Sequence, residues 1–145
     1  MNLRDQIGSI VMGLTGNPQF VYGRKSEVNV IMDNYGKPAV VLIEPDQFGF
    51  NVNAITGSVR DTYNVFIQFI DVVDPMGEDA NYRHPVVEAM RTLCAEFLQE
   101  LSQTDIFQDI NTNVPGVLIV DRYDLNVAGI EINLAQLTDI QPRPC

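Results

Sequence analysis

Val86, Met90, Leu93, Cys94, Phe97, Leu98 and Leu101 recur at helical spacing, while Glu88, Arg91, Glu96, Gln99 and Glu100 take the opposite side. No other feature constrains the fold of this chain as tightly. It predicts one long amphipathic helix over about 85–102, with Pro85 in its first turn and Asn81 or His84 as cap. A stripe that apolar needs a broad partner surface, and the rest of the sequence reads largely as strands.

Leu3, Ile7, Ile10, Val11 and Leu14 predict a second, shorter helix over 2–14, capped by Asn2 and ended near Gly16 and Pro18. Residues 19–23 read as a short extended piece. Residues 28–32 and 39–44 read as a hairpin around the turn Asp33-Asn34-Tyr35-Gly36, and Ala39 to Ile43 is apolar on both faces. Residues 49–56 alternate as a strand with one polar face. The longest β-favouring run is Tyr63 to Val73, where Tyr63, Val65, Ile67 and Phe69 share one face and Asn64, Phe66, Gln68 and Ile70 the other. Asp74 to Asn81 reads as a loop, and Val117–Val120 and Ala128–Leu134 as two closing strands.

The expected fold class is α+β: an antiparallel sheet of about five to six strands packed against an N-terminal helix and one long helix. At 145 residues the chain suits a single domain spanning 1–145, with 141–145 a loose tail.

Inventory limits the chemistry. His84 is the single histidine, so any general base of that kind rests on one residue at the mouth of a helix, where a capping or surface role is the simpler reading. Cys94 falls within the apolar stripe and Cys145 ends the sequence, so neither a disulfide framework nor a Cys–His metal site is expected. Asp71, Asp74, Glu78 and Asp79 form the densest acidic group but lack ordered calcium-loop spacing, and a solvated loop is the preferred reading. Asp121 and Asp124 flank Arg122-Tyr123 and could pair with that arginine or face a partner. Gly8, Gly13 and Gly16 do not stand between a strand and a helix, as a phosphate loop requires. No catalytic residue, cofactor or metal is assigned. The first residues lack a signal-peptide core and no run approaches a bilayer span, so a soluble chain made in the cytoplasm, without membrane contact, is expected.

With 9 Lys+Arg against 19 Asp+Glu, the formal charge is −10, and nearly all the surplus falls after residue 50. Such a balance argues against holding nucleic acid through a basic face. It suits a surface past which a polyanion must move without sticking. It also suits a small acidic binding or inhibitor domain, regulatory or immunity-type, aimed at a basic target.

The opening helix Leu3–Leu14, the run Thr62-Tyr63-Asn64-Val65-Phe66-Ile67-Gln68-Phe69, the helix Val86–Leu101 and the closing strands together resemble the tail-terminator and tail-completion proteins of tailed bacteriophages. The likeness is one of element order and length over most of the chain, and many α+β domains share such an order. The stretch Asp121-Arg122-Tyr123-Asp124-Leu125-Asn126-Val127 is similar in texture to neck-ring proteins of crAss-like gut phages infecting Bacteroidales. The short Asp74–Asn81 loop departs from the long loops of several relatives. The resemblance implies a virion structural protein and no enzyme. Copies would form a homo-oligomeric head-to-tail connector ring, with portal, adaptor or tube proteins above and below and double-stranded DNA passing through. Phe66 and Ile70 are then the expected ring-interface residues, and Gln47, Phe48, Glu78 and Asp79 the expected docking residues of exposed loops.

Overall fold

The computed structural model describes residues 2–24, 38–73, 80–108, 113–120 and 127–144. The elements are α1 (Leu3–Met12), β1 (Gln19–Gly23), β2 (Ala39–Ile43), β3 (Phe48–Val52), β4 (Val59–Val72), α2 (Ala80–Gln103), β5 (Gly116–Val120) and β6 (Val127–Thr138). The strands form one sheet in the order β1-β2-β4-β6-β5, with β3 paired to β4.

The fold is α+β as expected, with one correction to the sheet. It is mixed rather than antiparallel, because β1 runs parallel to β2 from Gln19↔Ala39 to Gly23↔Ile43. Parallel neighbours need a crossover of about a dozen residues or more, and the chain between Gly23 and Ala39 is long enough. The strand expected over 28–32 lies outside the described residues, and β2 has β1 on one edge and β4 on the other.

β2 and β3 lie end to end along the same edge of β4. β2 pairs with Phe66–Ile70 and β3 with Val59–Tyr63, so residues 39–72 make one long hairpin broken at Glu44–Gln47. Its far end is an arm without a helix behind it. Asn53 closes the tip, accepting through Oδ1 from the Ile55 and Thr56 N–H groups, and Gly57 supplies the positive φ of 74°. Local side-chain bonding at Asn53 therefore ends β3 at Val52 rather than carrying it to residue 56. The C-terminal segment lies on the other edge of the arm. The Arg143 N–H donates to the Val59 carbonyl at 2.7 Å and its guanidinium to Asp61 at 2.9 Å. The expected loose tail is thus anchored at Arg143, because β4 runs past the main sheet and leaves backbone acceptors there.

The main core lies between the helices and one face of the sheet. Ile7, Ile10 and Val11 of α1 and Leu93, Phe97 and Leu101 of α2 meet Leu42, Ile67 and Phe69, with the Phe69 and Phe97 rings 5.6 Å apart. Thr15, just after α1, donates its N–H and hydroxyl to Glu96 of α2 at 2.8 and 2.9 Å. Asn2 caps α1 by accepting from the Asp5 N–H at 2.8 Å. The long helix begins at Ala80, earlier than the expected 85, so Pro85 lies inside it and His84 is exposed along it rather than at its start. The opposite sheet face holds a second cluster, Val21, Ala39, Val41, Ile43, Ile70, Ile119 and Val127, to which neither helix contributes.

Candidate functional site

The arm places apolar side chains in solvent. Phe48, Phe50 and Val52 alternate onto one face of β3 at 70%, 57% and 61% exposure, and Ile55 at the tip is 96% exposed. The two rings meet edge to face at 6.4 Å. Phe48 stands opposite Tyr63, which leans on the main core, so the stripe faces the same way as the helices. Where stripe and body meet, Leu3, Arg4, Tyr22, Glu44, Phe48 and Tyr63 line an open groove of about 430 Å³. Burial raises the Tyr63 phenol above its usual pKa, and the Asp61 and Asp139 carboxylates add to this. Burial and Glu44 raise Tyr22 in the same direction. Both phenols therefore stay neutral and act as amphipathic walls.

The other notable surface is β5. Val117 and Leu118 point to opposite sides of the sheet, and both are more than half exposed. Among the described residues, the outer edge of β5 has no partner strand. Beside it, Phe66, Pro115, Val117, Glu131, Ile132 and Asn133 line a hollow of about 220 Å³ on the second face. The Asn64 and Asn133 Oδ1 atoms near Phe66 are buried without a hydrogen-bond partner. Next to them Gln68 donates to Glu131 at 3.1 Å, a buried polar pair in the middle of that face.

The expected interface pair is split. Phe66 is exposed, whereas Ile70 is fully buried in the second cluster and offers no surface for a neighbouring copy. The Gln68 row separates them: Phe66 lies near the break in the hairpin, and Ile70 sits between Ala39 and Gly129 at the sheet centre. Gln47 is exposed and bound to Asn64, its carbonyl accepting the Asn64 N–H at 3.0 Å and its Oε1 the side-chain amide at 3.1 Å. Phe48, expected in a docking loop, is instead the first residue of β3. Glu78 and Asp79 lie outside the described residues, as do Asp74, Asp121, Arg122, Tyr123, Asp124 and Cys145.

The reactive candidates are dispersed. Cys94 is buried under α2 and burial pushes its thiol up to about 11. Asp71 is partly buried at the end of β4, where desolvation raises its pKa against the lowering bond from the Val72 N–H. Among the described residues no three His, Cys, Asp or Glu side chains gather as a metal site. No described helix is long and apolar enough to cross a membrane.

Phe50, Val52, Ile55, Val117 and Leu118 are also exposed, and the sequence pattern did not single them out. Their alternation looks like that of a buried face. The usable signal was the shortage of cover: two amphipathic helices cannot shield a sheet this long on both sides. No family model matches the chain, and no curated protein matches it.

Proposed function

We propose that this chain is a structural subunit of a closed ring in the neck or tail of a tailed-phage virion, surrounding the path of double-stranded DNA. The observation that carries this reading is the arm, which holds Phe48, Phe50, Val52 and Ile55 largely in water, outside the core that the helices cover. Contiguous exposed apolar surface of this kind marks a place where another protein binds. The resemblance in element order to tail-terminator proteins is what suggests the virion setting. The charge of −10 supports a bore that does not hold DNA. In this reading the work is done by shape and contact between copies, with neck or tail proteins stacked above and below.

The test has two parts. Purified protein should form discrete rings by light scattering and negative-stain microscopy. The same polypeptide should be found by mass spectrometry in purified phage particles. A protein that stays monomeric, or one that is absent from particles, would remove the proposal.

A further inference from the structure

We infer that copies of this chain join by strand addition, β3 of one copy pairing antiparallel with the open edge of β5 of the next. The inference rests on the ring reading above and names its contact.

Both strands span five residues, and neither carries a charge or a proline. Natural sheet edges are usually guarded by such residues or by bulges. The sequence of β5, Gly-Val-Leu-Ile-Val, is that of an interior strand, apolar on both faces. Among the described residues it lies at the sheet edge, and a neighbour's strand would make it interior.

The backbone phase of both edges agrees. Asn133 donates to the Pro115 carbonyl, so in the β5–β6 ladder the alternate residues Val117 and Ile119 point their backbone groups inward and Gly116, Leu118 and Val120 point theirs outward. Asn64 donates to the Gln47 carbonyl and Asn53 to that of Ser58, so Gly49 and Asn51 point inward and Phe48, Phe50 and Val52 outward. Setting Phe50 opposite Leu118 then aligns Phe48 with Val120 and Val52 with Gly116, every outward group meeting an outward group.

Side chains agree as well. Residues directly opposite share a face, and Leu118 stands on the helix face, in line with Ile130 and Phe69. Phe50 stands on that same face of its own copy, through the Phe48–Tyr63 row. The pairing therefore keeps the helices of both copies on one side, and the operation relating them can be repeated. β3 starts on the sheet side away from β5, so each copy uses one edge to receive and the other to give. Such contacts are heterologous and close into a ring when the rotation allows.

Area favours this occupant over a β5–β5 pair. Phe48 and Phe50 alone offer on the order of 250 Å² of exposed ring surface, since an aromatic side chain carries roughly 150–250 Å². A stable interface buries about 800 Å² on each partner. A β5–β5 pair would leave the whole arm stripe in water, whereas β3 on β5 uses both patches together with the strand hydrogen bonds.

The experiment uses the full chain with Phe50→Pro or Leu118→Pro. Each removes one outward N–H and leaves the inward ladder bonds intact; circular dichroism and a melting curve verify folding. Phe50→Lys and Leu118→Lys, which alter only exposed side chains, repeat the test without a backbone change. Wild type should assemble by light scattering and each variant should be monomeric. An equimolar mixture of Phe50→Pro and Leu118→Pro should give a dimer and nothing larger, because one good β3 edge meets one good β5 edge. If wild type assembles and the variants do too, the ring stands and the strand pairing is overturned. A variant mixture that stays monomeric, or Phe50→Pro alone forming dimers, also overturns it. A wild type that never assembles overturns both.

Discussion

At Gly129 the lack of a side chain lets β6 lie against β4. A Cβ there would run into the Phe69 carbonyl oxygen and approach the Ile70 Cα to 2.9 Å. Gly129→Ala is expected to lower unfolding free energy by at least about 2 kcal/mol, read by urea denaturation, because overfilling a packed site forces the backbone to move. Cys94 offers a second check. With its thiol held near 11 and shielded, a thiol reagent at pH 8 should leave it unmodified in native protein and label it once denaturant is added, as peptide mass mapping would show. Asp71 gives a pH signature. Its carboxyl binds a proton more tightly folded than unfolded, so its contribution to stability falls as pH rises through the carboxylate range. Asp71→Asn should melt at a higher temperature than wild type at neutral pH, and the gap should close in acid, where both side chains are uncharged.

At the scale of elements, apolar periodicity placed both helices and the strands β1, β2, β4, β5 and β6 close to their positions, since burial of one face is what that period records. Ends were less legible. The helix α2 extends upstream to Ala80 because the first turn of a helix leaves its N–H groups unbonded anyway, and Pro85 removes only one bond farther in. The parallel pairing of β1 was hidden because register and direction depend on long-range contacts that a five-residue pattern does not encode. The exposed stripe was hidden for a related reason: Phe48, Phe50 and Val52 show the same alternation whether they are covered or bare. Thr15 and Glu96, far apart in sequence, tie α1 to α2. Glu96→Ala should cost about 1 kcal/mol in chemical denaturation, the usual net worth of such bonding at a partly open site.

Over the whole molecule, the charge of −10 opposes any meeting of copies, and apolar contact must exceed that repulsion. Assembly measured by light scattering at fixed protein concentration should therefore rise with salt, from about 0.01 M, where charges are felt over ~30 Å, to about 1 M, where the range is ~3 Å. An interface built on ion pairs would show the reverse trend. The long hairpin has a mechanical side too. β2 and β3 are separated by the break at Glu44–Gln47, whereas β4 passes from the body into the arm and β6 accompanies it as far as Thr62↔Thr138. Tension applied to the arm would travel down β4 into the middle of the sheet, loading its rungs in shear, many at a time, and sparing the weaker periphery from being peeled away.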